Sequence, residues 1–598
     1  MKIRVADYIV KKMLEKGINT TFSVVGGGAM HLNDAFGHAK GMQVIYNQHE
    51  QACAIAAEGY ARVNNQAAAV VVTTGPGGTN AMTGVAGAYV DSVPMVVISG
   101  QVRWDSFSGS TGLKLRAMGD QEFNVIPAAK TMTKYAHLLD NKNDVRYVIE
   151  KAIFLATHGR MGPTWIDVPG DIQSAYVEED ELKGYDYSDE KIPYPTNEQI
   201  DYVIKKIKTA KRPVVYAGSA IRLAGAYDEF KELIEKLNIP VVCAWNSSDA
   251  IETDHRLYAG RAGNFGDRYG NFAVQNSDLI VSLGCRLSIR QTGFNYKSWA
   301  PKAHVIMVDI DEDEMKKPTI HVEYPIHADV KDVIHELNIK AEAKVFNNDA
   351  WIKQCKEWIE KYPVVQKKHY DQKYQANAYA VIDMLSKMMP EGMITLSGNG
   401  TACVVGGHGY TIKKGMRFIE NSGFASMGYD LPAAIGVEFA TNKEPIVCLT
   451  GDGSIQMNLQ ELQTIIHHKL PIKTIIINND GYHSIRQSQA NFFKDRALCG
   501  IGPDSHDLSF PDMGKIAKAY GFMFVRCKTN DEFKSYMENE FNINEPQICE
   551  VMVDTKQYFQ PKAGSKKLED GRMVSAPLED LVPYLDRDEL NGIMKISE

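Results

Sequence analysis

Short apolar runs rich in β-branched residues alternate with helical patterns along nearly the whole chain, which admits little besides repeated βαβ units around parallel sheets. The fold class read from this is α/β, with doubly wound parallel sheets. Strand-like runs at 43–46, 69–73, 95–99 and 164–168 make a first block that closes at Pro169-Gly170. The acidic, weakly periodic stretch from Glu178 to Pro195 reads as a linker. A second block carries strand candidates at 213–216, 240–243, 279–283 and 305–308, and Asn347-Asn348-Asp349 marks its end. A third carries them at 394–396, 446–449, 474–477 and 548–553. The expected division is therefore residues 1–175, 196–340 and 350–560, three domains each the size of one doubly wound sheet, followed by a surface tail over 561–598. The sequence carries no solenoid-type repeat and no low-complexity tract.

Composition narrows the partners. With 66 basic against 74 acidic residues, the net charge of -8 gives no basic face for a nucleic acid, so small molecules are the expected partners. The apolar runs, such as 67–72 and 475–477, fall far short of the roughly 18 residues of a spanning helix, and no membrane partner is expected. The first residues enter an amphipathic pattern without a cleavage site, which predicts a cytoplasmic location. None of the nine cysteines forms a C-x-x-C pair, so they are expected to be reduced and mostly buried.

The chemistry concentrates at Thr450-Gly451-Asp452-Gly453-Ser454, which follows an apolar strand, and at Asn478-Asn479-Asp480-Gly481, which follows the next. A buried strand opening through glycines into a helix turns backbone N–H groups toward a phosphate. One helical crossover returns Asp452 and Asn479 to adjacent strand ends, and two hard oxygen donors beside a phosphate make a magnesium site. Either turn alone reads as an ordinary tight turn; their combination does not. Gly-Asp-Gly followed after 24 residues by Asn-Asn resembles the signature of enzymes that bind thiamine diphosphate. The resemblance implies that Asp452, Asn479 and the Gly481 carbonyl hold Mg2+. It further implies cofactor contacts from Asn399, Gly400, Thr401, Gly451, Gly453, Ser454, Tyr482 and His483.

Such enzymes need a carboxylate in an apolar setting against the cofactor's aminopyrimidine ring. Glu50, just past a strand in Gln48-His49-Glu50-Gln51-Ala52, fits that position, where low polarity favours proton exchange over a permanent charge. A helix-terminal glutamate placed to suit the dipole is the plain alternative. The stretch from Thr74 to Asn80, with Pro76 and Asn80 as implied cofactor contacts, and that from Asp91 to Gln101 resemble the first domain of acetolactate synthases and their relatives. The run from Phe424 to Gly436 resembles the family's third domain, where the residue at Ala425 presents its backbone to the pyrimidine and that at Met427 wedges the cofactor into a bent shape. The resemblance spans residues 1 to 560. It implies a pyrimidine-binding, a central and a diphosphate-binding domain, and a homodimer or homotetramer with active sites shared between chains.

Acetolactate synthases condense two 2-oxo acids, the first losing CO2. Gln121 matches a family glutamine near the reacting centre, and Gly27 lies in the family's first glycine turn. There are departures. The segment from Arg103 to Asp120 is longer and adds Arg103, Lys114 and Arg116; Asp120 replaces an apolar aromatic; and Ser488 stands at the position of a tryptophan that favours a 2-oxobutyrate acceptor. A wider, more polar pocket is expected. The glycine turn from Val24 to Asp34 and the segment from Asn479 to Gln489 look more like relatives from surface-sugar pathways, some of which pass an acetyl unit to a keto-sugar; His31, His483 and Arg486 are then candidates to meet the acceptor. In the central domain Arg261, Gly284, Arg286, Arg290 and Asp309 sit where acetolactate synthases bind FAD, but Ser288-Ile289 replaces a pair of aspartates, and FAD stays open. The expected activity is a thiamine diphosphate- and Mg2+-dependent carboligase that decarboxylates a 2-oxo acid, with pyruvate as donor, and transfers the acyl unit to a second carbonyl. A non-ligating decarboxylase, acetyl transfer to a keto-sugar, and a catalytically silent homologue are the alternatives.

Overall fold

The computed structural model describes residues 1–493, 496–542 and 544–597. The chain builds three six-stranded, wholly parallel sheets, as the alternation predicts. The first contains β1 (Thr20–Ser23), β2 (Gln43–Tyr46), β3 (Ala68–Val72), β4 (Met95–Gln101), β5 (Tyr135–Leu138) and β6 (Pro163–Pro169), in the order β2-β1-β3-β4-β6-β5. The second contains β7 (Pro213–Ala217), β8 (Val241–Cys243), β9 (Tyr258–Arg261), β10 (Leu279–Leu283), β11 (His304–Asp309) and β12 (Tyr324–His327), in the order β9-β8-β7-β10-β11-β12. The third contains β13 (Ile394–Ser397), β14 (Arg417–Glu420), β15 (Ile446–Gly451), β16 (Ile472–Asn478), β17 (Met523–Cys527) and β18 (Gln547–Met552), in the order β14-β13-β15-β16-β18-β17. The outer two sheets thus share one topology and the middle one differs. Central strands such as β3, Ala-Ala-Val-Val-Val, are buried along their whole length, because helices cover both faces of a parallel sheet. After residue 561 the tail packs back on the central domain, where Arg268 donates to the carbonyls of Leu581 and Pro583.

The first and third domains share one core. Its seam is the packing of α1 (Glu50–Asn64) on α4 (Asp430–Ala440). Two glycines permit the approach. A Cβ on Gly436 would stand 1.9 Å from the Ala56 carbonyl oxygen, and one on Gly59 would stand 2.5 Å from that of Ala433. Because Glu50 opens α1, this seam fixes where its carboxylate lies. All nine cysteines are unpaired, and Cys499 alone among them is exposed. No helix among the described residues is long and apolar enough to cross a membrane.

One buried pair lies away from the strand ends that carry the motifs. Glu438 on α4 and Lys473 on β16 are fully buried, and neither charged group has a hydrogen-bond partner. Burial raises the Glu438 carboxyl to about 8 against the pull of Lys443 and Lys473, and it lowers Lys473 to about 8. The fold therefore binds a proton at Glu438 that the unfolded chain releases, so this group's stabilisation is lost as pH rises from 4.5 to about 8. For Lys473 the loss comes as pH falls from 10.5 to about 8. Glu438→Gln should flatten the fall of Tm across the acid-side window, as read by thermal unfolding at a series of pH values. A variant with the wild-type slope would exclude Glu438 as its source.

Candidate active site

Two groups of side chains gather at the carboxyl ends of the outer sheets. In the first domain α2 (Pro76–Val90) starts after Gly75, whose φ is +60°. A Cβ there would lie 2.1 Å from the Gln121 carbonyl oxygen, so the Gln121 loop is seated directly on this turn; Gln121 itself is left-handed at φ +57°. Asn80, one turn into α2, donates from Nδ2 to Glu50 Oε2 at 3.0 Å. Gly77 lies beside the same carboxylate, a Cβ on it falling 3.7 Å from Oε1. The glycine turn that contains Gly27 closes the group, with Gly28 N–H donating to Thr73 Oγ1 at 3.1 Å. Glu50, Pro76, Asn80, Gln121 and Gly27 are thus brought to one rim.

The third domain builds the other rim. Gly400, at φ +93° with open space before it, leads into α3 (Thr401–Gly409). Asn399 Nδ2 donates to the Ala425 carbonyl at 2.6 Å, and Ala425 is itself left-handed at φ +57°. Asn479 Nδ2 donates to Thr401 Oγ1 at 2.5 Å, which leaves its amide oxygen uncommitted. Asp452 is buried and accepts the Gly481 N–H at 2.7 Å. Burial raises its carboxyl to about 7 against the backbone N–H groups of Gly481, Asp452 and Asn479. Gly481 has no room for a side chain, since a Cβ would sit 1.9 Å from the Ile501 carbonyl. A Cβ on Gly453 would lie 2.5 Å from the Tyr482 ring. Ser454 donates to Asp430 at 2.8 Å and accepts from the Gly428 N–H at 3.0 Å, so the loop at Asp452 is tied to the turn that carries Met427.

The side chains after Asn479 are held largely by backbone groups, and His483 lines a small pocket together with Thr401 and Asn479. Arg486 begins the second turn of α6 (His483–Phe492) and donates to the carbonyls of Asn479 (2.9 Å) and Asp480 (2.5 Å), holding the loop backbone in place. It also lies 3.2 Å from His483 Nδ1, while His483 Nε2 lies 2.5 Å from the Gln557 carbonyl and 2.7 Å from Gln487 Nε2. Burial lowers the His483 pKa. Ser488 is exposed and donates only to the Ser484 carbonyl.

Several contacts escaped the sequence reading because their partners are far apart in the chain. Glu461, at the start of α5 (Glu461–His468), accepts from Asn47 Nδ2 and the Gln48 N–H, both at 2.9 Å, and Asn458 donates to Gln51 Oε1 at 3.0 Å. The third domain therefore grips the chain on both sides of Glu50. Among the described residues no group of three or more Asp, Glu, His or Cys side chains is arranged to hold a metal ion. A magnesium site built from one carboxylate, one amide oxygen and one carbonyl needs none. The donors fit: Asp452 is a buried carboxylate with no ion pair among the described residues, and Thr401 at the open start of α3 meets Asn479.

A second cavity, of about 290 Å³, opens where the three domains meet. Its floor is Gly218-Ser219-Ala220 after β7 and Gly284-Cys285-Arg286 after β10, the two strands at which the order of the middle sheet reverses, where doubly wound sheets bind their ligands. Gly218 must be glycine, since a Cβ would lie 2.0 Å from the Gly284 carbonyl oxygen. Arg290 and Asp309 also line it; burial raises the Asp309 carboxyl to about 6. Arg261 does not line it, and donates instead to the carbonyls of Gly407 and Tyr410.

Comparison with known proteins agrees with this architecture. Residues 3–126 match the family described as thiamine pyrophosphate enzyme, N-terminal TPP binding domain; residues 200–337 match its central domain and 398–551 its C-terminal TPP binding domain. The chain is 31% identical over 576 residues to the acetolactate synthase isozyme 3 large subunit of Escherichia coli (strain K12), covering 93% of this chain and 96% of that protein. It is 33% identical to the acetolactate synthase large subunit of Buchnera aphidicola subsp. Acyrthosiphon pisum, with 93% and 96% covered. To acetolactate synthase 2, chloroplastic, of Nicotiana tabacum it is 31% identical, with 93% and 83% covered. Three matched domains in the family's order, on sheets whose strand ends carry the expected motifs, place this chain in the thiamine pyrophosphate enzyme family, as a thiamine diphosphate-dependent enzyme of the acetolactate synthase-like branch.

Proposed function

We propose that the protein is a thiamine diphosphate- and Mg2+-dependent carboligase that decarboxylates a 2-oxo acid, with pyruvate as donor, and transfers the acyl unit to a second carbonyl. The observation that carries this is the pairing of a Glu50 carboxylate fixed by Asn80 with a buried Asp452 that has no ion pair among the described residues. Thiamine diphosphate, when bound, supplies the electron sink for decarboxylation and the nucleophilic carbon for ligation. Asp452, the amide oxygen of Asn479 and the carbonyl of Gly481 hold Mg2+, and the open start of α3 receives the diphosphate. Asn80 occupies Glu50 Oε2 and leaves Oε1 to exchange a proton with the aminopyrimidine ring.

Two half-sites call for a second copy of the chain. No hydrogen bond among the described residues joins Glu50 to the Asp452 loop, and exposed apolar side chains surround both rims: Val25, Met30 and Tyr46 on one, Phe424, Met427 and Ile485 on the other. A homodimer that pairs the rims covers them. FAD is the nucleotide proposed for the second cavity. Gly218 and Gly284 let the polypeptide backbone come close to a pyrophosphate, and Asp309 stands at a strand end where it can accept from ribose hydroxyls.

The acceptor is proposed to carry an anionic group. Glu122 folds the long loop before Gln121 by accepting from the N–H groups of Ser108, Met118 and Gly119, each at 2.8 Å. Burial works against its ionised form, but these hydrogen bonds and that from the Ser108 hydroxyl prevail and hold the carboxyl below its ordinary value. The two ends of the loop are thereby joined at the residue after Gln121, and Lys114 and Arg116 are exposed between them. Purified protein with thiamine diphosphate, Mg2+ and pyruvate, with and without FAD, should consume pyruvate. Analysis for acetolactate and acetaldehyde, and for ligated ketone with a phosphorylated keto-sugar as added acceptor, identifies the acceptor. Free acetaldehyde as the sole product under all conditions would exclude the carboligase. Lys114→Ala/Arg116→Ala should raise KM for the phosphorylated acceptor about tenfold or more, in line with the loss of charge-assisted contacts, and leave donor decarboxylation unchanged.

A further inference from the structure

The central cavity and the thiamine site share a wall, and we propose that a nucleotide in the cavity tightens the binding of thiamine diphosphate and Mg2+ through it. This rests on the nucleotide reading given above.

The wall is the turn from Asn421 to Gly428. Ser422 and Gly423 face the cavity. Two residues on, the Ala425 carbonyl accepts from Asn399, and four residues on, Met427 stands at the rim of the diphosphate-binding domain. The turn is closed on itself by Ala425 N–H to the Asn421 carbonyl (2.7 Å) and Asn421 Nδ2 to Ser426 Oγ (3.1 Å), so a displacement at one face reaches the other. Gly423 is pressed against Asp91, which also lines the cavity: a Cβ on Gly423 would lie 2.0 Å from Asp91 Oδ1.

From Asp91 a buried network runs to the Asp452 loop. Asp91 Oδ2 accepts from Arg62 at 2.6 Å, Arg62 Nε donates to Glu58 Oε1 at 2.9 Å, and Glu58 Oε2 accepts from the Tyr429 hydroxyl at 2.6 Å. Asp430, next in the chain, accepts from Thr450 at 2.6 Å and Ser454 at 2.8 Å, on either side of Gly451-Asp452-Gly453. Glu58 and Arg62 belong to α1, the helix that Glu50 opens. Groups in one buried network order together, so a ligand that fixes one end leaves less for the second ligand to order, and the coupling is reciprocal.

The test measures thiamine diphosphate binding, with Mg2+, to the full chain by titration calorimetry without nucleotide and with saturating FAD or ADP. The expected result is about tenfold tighter binding with one of the nucleotides, and the same factor for nucleotide binding when thiamine diphosphate is present. In Tyr429→Phe both ligands should still bind, with the factor reduced to about twofold or less. Gly423→Ala should weaken nucleotide binding and remove the coupling; where that variant does not fold, Tyr429→Phe carries the test. A wild-type protein that binds a nucleotide while its thiamine diphosphate affinity stays unchanged overturns the coupling alone. So does a Tyr429→Phe protein with the coupling intact. A protein that binds neither FAD nor ADP overturns the nucleotide reading and the coupling with it.

Discussion

Glu50→Gln should lower turnover of pyruvate by about 10²- to 10⁴-fold, the range that general acid–base groups contribute, while thiamine diphosphate still binds. Glutamine keeps the length of the side chain and the oxygen that accepts from Asn80, so the local structure has no reason to change. What disappears is a group able to exchange a proton at Oε1. The seam of α1 on α4 and the grip of Asn458 and Glu461 on either side hold the backbone where it was. Calorimetric titration of the variant with thiamine diphosphate and Mg2+, beside a pyruvate-consumption assay, separates the two properties. Full activity in Glu50→Gln would remove this residue from the mechanism; lost binding with lost activity would make its role structural.

Asp452→Ala should weaken Mg2+-dependent binding of thiamine diphosphate by at least about 100-fold, because even residues that only orient a metal's ligands are worth 10- to 100-fold. The unliganded protein should lose no stability. The Asp452 carboxyl is buried, receives the Gly481 N–H and has no ion pair among the described residues, so its removal takes away a desolvated group. Binding and stability therefore move independently. A calorimetric titration with and without Mg2+, together with a melting curve of the unliganded variant, reads both. Unchanged affinity in Asp452→Ala would place the metal elsewhere. A large drop in the unliganded Tm would turn Asp452 into a structural residue.

Much of the site was legible in the sequence because its motifs are local. Asp452 and Asn479 are separated by one crossover, and Thr450 to Ser454 and Asn478 to Gly481 each close a strand within a few residues. Glu50 and Asn80 were legible as separate motif residues, but their hydrogen bond was not, since it joins the start of one helix to the first turn of the next. Arg486 and His483 show the opposite case. As residue types they suit a polar acceptor, yet the fold sets both against backbone carbonyls, those of Asn479 and Asp480 for Arg486 and that of Gln557 for His483.

The sequence by itself determined the α/β class, twelve of the eighteen strands of the three large sheets and the three-sheet division, because periodicity, turn residues and motif spacing act over a few tens of residues; it missed the six others, such as Thr20–Ser23 and Arg417–Glu420. The tertiary structure alone decided that the first and third sheets share an order while the middle one reverses between β7 and β10. It decided likewise that Glu461 reaches across 413 positions to Gln48, and that Asp91, Arg62, Glu58 and Tyr429 form one buried chain between cavity and cofactor loop. Such contacts are selected by burial, where an unpaired polar group is costly, and a partner hundreds of residues away leaves no periodic trace at either end.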